Sequence, residues 1–267
     1  MKNRIILSIS SDIGAALAKD WLSKGYKVYG TYNNFNKDCA ELKKNGAKII
    51  KLNLLHKKSF KNFFNIFTKK QKWDAVVLAA GTQEPIGNFE KNNFDDWEKS
   101  LLINFTAQLR FLHQLLPYRN FKKNLPKVLF FAGGGTNNAN LSYSAYTIAK
   151  IASIKICELL DAEISDTSFS ILGPGWVKTK IHKSTLNAKT MAGSNYKKTI
   201  YMLNSKKCYP MEKVIECCNW LMDSPKSLIS GRNFSAVFDP WESKKINKIL
   251  KDNNNFKLRR YGNELFK

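Results

Sequence analysis

A tyrosine hydroxyl and a lysine ammonium four residues apart on a helix share one face, because a turn takes 3.6 residues. The ammonium favours the phenolate, lowers the phenol from about 10 toward neutrality and lets it exchange a proton with a substrate oxygen. The 267-residue sequence carries that spacing three times, at Tyr118/Lys122, Tyr146/Lys150 and Tyr209/Lys213. Spacing alone does not choose among them. Tyr118 follows Pro117 and Tyr209 precedes Pro210, so both read as boundary sequence. Tyr146 and Lys150 lie instead inside "LSYSAYTIAKIASIKICELLDAEI", a sustained helical pattern with an apolar face, directly after the glycine-rich end of "KVLFFAGGG". That pair is positioned for proton transfer.

A second chemistry, anion binding, is available in "LSISSDIGAALAKDWLSKG". A helix capped by Ser11 or Asp12 starts there, carries an apolar stripe of Ile13, Leu17, Trp21 and Leu22, and ends at Lys24 and Gly25. Its free N–H groups and positive dipole end suit a phosphate, which makes Ser8, Ser10, Ser11, Asp12 and Ile13 the candidate contacts.

Both features need a frame that brings strand ends and helix starts together. Seven short apolar runs, "RIILSIS", "KVYGTY", "AKIIKLNL", "DAVVLAAG", "KVLFFAGG", "SFSILGPG" and "NFSAVF", alternate with segments of helical spacing. The alternation predicts an α/β fold, a Rossmann-like doubly wound parallel sheet of about seven strands with helices on both faces and ligands at the strands' carboxyl ends. Helices are expected at 57–70, 94–117, 144–163 and 211–223. Residues 1–267 read as one domain, with a polar, basic stretch at 180–210 placed to act as a mobile substrate lid. Residues 239–267 extend past the last strand, to pack elsewhere on the chain or against another subunit.

With these motifs in order, the sequence resembles the short-chain dehydrogenase/reductase family over nearly its whole length. "LSISSDIG" is similar to that family's glycine turn and "LAAG" to its structural "NAG" segment. Asn104 in "LLINFTA" matches its helix asparagine, "SAYTIAK" its active-site helix, "GPGWVKT" its Pro-Gly segment and "SGRNFSAVFD" its last strand. The resemblance implies that Tyr146 is the general acid in the reducing direction. Lys150 would lower its pKa and hydrogen-bond the nicotinamide ribose, and Asn104 would hold a water in a proton relay. It also implies cofactor contacts at Ala80, Gly81, Pro174, Gly175, Val177 and Thr179, the last approaching the nicotinamide side.

Three departures from the family pattern matter. Leu7 and Ser8 replace the Thr-Gly that opens the turn, and serine is the least damaging substitute because it is small and its hydroxyl can donate to phosphate. The family's serine, a donor to the substrate carbonyl, falls thirteen residues before Tyr146, where this chain has Gly133. Loss of one such donor costs on the order of 10²–10³ in rate. Thr136, which closes the glycine run, is the first candidate to replace it, with Ser142 and Ser144 behind it. No acid ends the second strand: "VYGTYNNFNK" offers Asn33, Asn34 and Lys37, which favours NADP over NAD, while Asn53 takes the family's adenine-side position.

The composition sets outer limits. A formal net charge of +23 is spread along the chain in lysine pairs rather than gathered in one arm, so it reads as a solvated surface that attracts anionic small molecules, not as a nucleic-acid site. Five cysteines, odd in number and with Cys217 and Cys218 adjacent, suit neither a disulfide framework nor a CxxC site and point to a reducing cytoplasm. No apolar span reaches 18 residues, so no membrane crossing is expected, and the three histidines have no metal-site spacing. The resemblance implies an NADP(H)-dependent oxidoreductase interconverting a ketone and a secondary alcohol. It further implies a small-molecule substrate of sugar or nucleotide-sugar type, open to phosphorylated forms, and a homodimer or homotetramer. The alternative is a dinucleotide-binding regulator or scaffold of the same fold with impaired catalysis.

Overall fold

Each apolar run becomes a strand, and alternate residues of each strand face opposite cores. The computed structural model describes residues 2–68, 70–122 and 124–262. Its elements run β1 (Asn3–Leu7), α1 (Asp12–Ser23), β2 (Lys27–Tyr32), α2 (Lys37–Lys44), β3 (Lys48–Lys51), β4 (Ala75–Leu78), α3 (Phe94–Leu101) and α4 (Ala107–Leu115). They continue with β5 (Lys127–Phe131), α5 (Ser144–Glu163), β6 (Ser168–Gly173), α6 (His182–Ala188), α7 (Ser194–Asn204), α8 (Met211–Asp223), α9 (Lys226–Ile229), β7 (Arg232–Ser235) and α10 (Lys245–Ile249). The strands form one parallel sheet in the order β3-β2-β1-β4-β5-β6-β7. The order reverses between β1 and β4, which opens a crevice at their carboxyl ends.

Ile6 of β1 joins a core with Leu17 and Trp21 of α1 and Val214 and Leu221 of α8. Its neighbours Ile5 and Leu7 face the opposite core with Phe60, Phe63, Phe111, Ile154 and Cys157. Helices therefore cover both faces.

The first helix begins where expected: Ser11 Oγ accepts the Gly14 N–H at 3.1 Å, and Gly25 follows the end at φ +75°. Residues 144–163 and 211–223 are helical as the spacing predicts. Two expected helices differ. The segment 57–70 folds as a 3-10 helix over Lys57–Asn65, and 94–117 is split by a π turn at Leu102–Thr106. Side-chain amides cause that split: Gln108 Nε2 donates to the carbonyls of Ile103 and Asn104, and Asn104 Nδ2 to that of Ser100, which spreads the backbone ladder.

The 180–210 stretch is not a plain loop but two helices, α6 and α7, joined by a 3-10 turn at Lys189–Ala192. The segment after β7 returns onto its own chain. Arg232 donates to the carbonyls of Leu250, Asp252 and Asn255, and the Asn233 N–H donates to the Phe256 carbonyl at 2.7 Å. Residues 263–267 of that extension lie outside the described residues.

Candidate active site

The carboxyl ends of β1, β4, β5 and β6 surround the crevice. At β5, Trp97 Nε1 donates to Ser144 Oγ at 3.0 Å and fixes the start of α5. One turn in, Tyr146 is half-buried, and Lys150, a further turn along, is buried. Lys150 Nζ donates to the Phe131 carbonyl at 3.0 Å and stands 5.7 Å from the centre of the Tyr146 ring. Burial pushes the phenol up to about 12 and the amine down to about 8. The expected lowering of the Tyr146 pKa by Lys150 is thus not the state of this site. The amine donates to a strand carbonyl, and the phenol keeps its proton at neutral pH.

Where the family's serine would stand, Gly133 leaves no hydroxyl, and the phenol itself occupies the space: a Cβ on Gly133 would come within 2.6 Å of Tyr146 Oη. Thr136 lies half-buried in the loop beyond, and among the described residues no hydrogen bond joins it to Tyr146. Ser144 is already an acceptor for Trp97, and Ser142 sits at φ +71° with its carbonyl taking the Gly87 N–H at 2.9 Å.

Asn104 is buried and its side chain fully engaged. Oδ1 accepts the Thr82 N–H at 3.0 Å, and Nδ2 donates to the Thr82 and Ser100 carbonyls at 2.9 Å and to Ser100 Oγ at 3.1 Å. It ties the segment leaving β4 to the π turn. Gln108, absent from the sequence reading, completes that tie by donating to the Ala80 carbonyl at 3.0 Å. Its signal was an amide one turn after Asn104 on the same buried face.

The turn after β1 has the form of an anion cradle. Ser8 adopts φ +65°, its N–H donates to Thr31 Oγ1 at 3.0 Å, and its carbonyl accepts the Ser11 N–H at 3.0 Å. A Cβ on Gly14 would strike the Ser8 carbonyl at 2.6 Å, so the single glycine of the turn sits where the backbone closes most tightly. Among the described residues, nothing accepts the N–H groups of Asp12 and Ile13 at the helix start. These features fit a phosphate. Ser10 is buried, and its carbonyl accepts both Asn36 Nδ2 at 3.1 Å and Lys180 Nζ. The Lys180 N–H donates to the Asp12 carboxylate at 2.7 Å, which brings the exit of β6 against the turn.

The remaining expected contacts lie around the same crevice. Ala80 is buried and Gly81 exposed, the latter with Ile181 and Asn104 Oδ1 in reach of any side chain placed there. Pro174 is half-buried, Gly175 turns the chain at φ +77°, and buried Val177 accepts from His182 Nε2 at 3.0 Å. Thr179 is half-buried, and its carbonyl receives the His182 N–H. His182 stacks on Trp176 with ring centres 4.6 Å apart and is buried. Asn33 is exposed just beyond β2, and Asn53 turns its Oδ1 toward its own loop, accepting the Leu55 N–H at 2.9 Å.

A sequence profile described as short chain dehydrogenase matches residues 2–190. The chain belongs to the short chain dehydrogenase family. Among curated members, the short chain dehydrogenase adrF of Penicillium rubens is 27% identical over 148 residues, 55% of this chain and 57% of that protein. The chain spans about half the length of the curated relatives it matches. A short chain dehydrogenase/reductase from Saccharomyces cerevisiae has the same fold, with a TM-score of 0.77 at 21% identity over 90% of this chain and 97% of that one. An actinorhodin polyketide ketoreductase, solved with NADPH, superposes with a TM-score of 0.75 at 14% identity, covering 88% of this chain and 95% of its own. Within this dehydrogenase fold, α5 carries the Tyr-Lys pair, and the turn after β1 leads into the start of α1. Among the described residues, no helix is long and apolar enough to cross a membrane, and no three His, Cys, Asp or Glu side chains gather as metal ligands.

Proposed function

We propose that this chain is an NADP(H)-dependent oxidoreductase whose favoured direction is reduction of a ketone to a secondary alcohol. The observation that carries the reading is the Tyr146 phenol held against Gly133 at the carboxyl end of β5, with Lys150 one turn along α5. A reduced nicotinamide held in the crevice would supply the hydride to the carbonyl carbon. Tyr146 Oη gives its proton to the carbonyl oxygen, so the C=O bond becomes CH–OH. Lys150 stays anchored on β5, where it is placed to hold the cofactor ribose. Asn104 and Gln108 fix the β4 exit against α4 and shape the crevice floor. The turn from Ser8 to Ile13 receives the pyrophosphate on its free N–H groups.

NADP is the preferred cofactor because residues 31–36 hold no carboxylate to repel a 2′-phosphate, while Asn33, Asn34 and Lys37 stand at that end of β2. The neighbouring ketoreductase was solved with the same cofactor. The helices α6 and α7 form the substrate lid. A buried chain of hydroxyls, Tyr143 Oη to Thr185 Oγ1 at 2.7 Å and Thr185 Oγ1 to Gln83 Oε1 at 3.0 Å, fastens α6 beside the start of α5. The basic lid surface, with Lys178 and Lys183, suits a sugar or nucleotide-sugar substrate bearing phosphate. The exposed Phe94 of α3 and the exposed Ile148 and Leu159 of α5 support pairing with a second copy through those helices.

The test is NADPH oxidation by the purified protein with a panel of ketones that includes keto-sugars and their nucleotide derivatives. Tyr146→Phe should lower kcat by about 10²–10⁴ with cofactor affinity preserved. Equal turnover by both proteins would end the proposal.

A further inference from the structure

The glycine that takes the place of the family's serine is in contact with the acid. A Cβ built on Gly133 would stand 2.6 Å from Tyr146 Oη and 2.8 Å from Cε1 and Cζ of the same ring, distances at which the ring has to move. The phenol therefore takes the space that a side chain at 133 would fill, just beyond the end of β5. Two residues earlier on the same strand, the Phe131 carbonyl holds Lys150. The next residue behaves oppositely: a Cβ on Gly134 would meet nothing within 4 Å.

We infer that Gly133 is a positioning residue for Tyr146: its missing side chain is the socket in which the phenol rests, so serine at 133 is incompatible with this active-site geometry rather than merely lost from it. The inference rests on the reading of Tyr146 as the proton donor. It follows that Tyr146 Oη stands where the family has its serine, so the proton comes from this hydroxyl with no second hydroxyl at that position. Installing the family residue then displaces the acid instead of assisting it.

Three substitutions test this. Gly133→Ser should lower kcat about 10²-fold, the loss that follows a displacement of roughly 1 Å in a reacting group, while NADPH affinity measured by calorimetry stays at the wild-type value. Gly134→Ser should keep kcat within about twofold. A rate for Gly133→Ser equal to or above wild type would overturn the inference. A second arm needs no turnover. Gly133→Ala should lower Tm in the wild-type background and much less in a Tyr146→Ala background, because the clash disappears with the ring. Equal Tm losses in the two backgrounds would also overturn it. A wild-type protein that reduces no ketone but shows the thermal coupling would end the enzymatic reading and leave the Gly133–Tyr146 socket standing.

Discussion

At the scale of single residues, two ionisations set the working pH. Lys150 carries its charge below about 8, and Tyr146 keeps its proton up to about 12. Ketone reduction should therefore hold a plateau below pH 8 and decline above it as the ammonium is lost, while the phenol remains a competent acid throughout. A kcat–pH profile in the reducing direction checks this, and a rise through pH 8 would contradict it. Ser8 offers a separate test. Its φ of +65° costs a side-chain-bearing residue about 1–2 kcal/mol, and glycine there would lose about 0.5–1 kcal/mol through extra freedom in the unfolded chain. Ser8→Gly should thus gain about 0.5 kcal/mol in urea unfolding and bind NADPH at least as tightly. The tyrosine and lysine were legible in the sequence because a helix turns their spacing into adjacency. The partner of Lys150 was not, since Phe131 lies nineteen residues away along the chain and only the sheet brings its carbonyl there.

At the scale of elements, strand and helix placement was read largely from periodicity, and what periodicity missed was the work of polar side chains. The 94–117 pattern is apolar at helical spacing throughout, so nothing in it announces a π turn. The break comes from Asn104 and Gln108 competing for carbonyls inside the helix. Replacing Gln108 with Leu should therefore cost stability, because it removes three donated bonds and leaves the Ala80 carbonyl short of a partner, with a loss of about 1–3 kcal/mol in chemical denaturation. The polar, basic composition of 180–210 suggested a mobile stretch, yet the chain folds it into α6 and α7 and clasps it to the turn after β1 through Lys180, which reaches the Ser10 carbonyl while its N–H holds Asp12. Lys180→Ala removes the side-chain half of that clasp. Limited proteolysis should then cut the 180–210 segment faster in the cofactor-free protein, with the difference shrinking when NADPH is present.

At the scale of the whole molecule, the parallel sheet and its switch point followed from the alternation of runs, whereas the destination of the last segment did not, because both alternatives left the same sequence signature. The structure folds it home. Besides the bonds from Arg232 and Asn233, Arg259 grips Glu158 of α5 with both terminal guanidinium nitrogens, at 2.7 and 3.0 Å. That grip, together with Lys155, holds the Glu158 carboxyl down at about 2. A lowered carboxylate stabilises the fold above its unfolded value of about 4.3 and loses that contribution as pH falls toward 2. Acid unfolding of the wild type should accordingly steepen across that window, and Arg259→Ala should flatten it.

The two borders of the sheet end up guarded by different means. Along β7 the returning chain lies over the open hydrogen-bonding groups, while β3, only Lys48–Lys51, presents a lysine at either end. Charge fades as ions accumulate and a physical cover does not. Concentrated salt should consequently expose one selvedge and spare the other, so that any strand-to-strand stacking of molecules starts on the β3 side and halts after a single join.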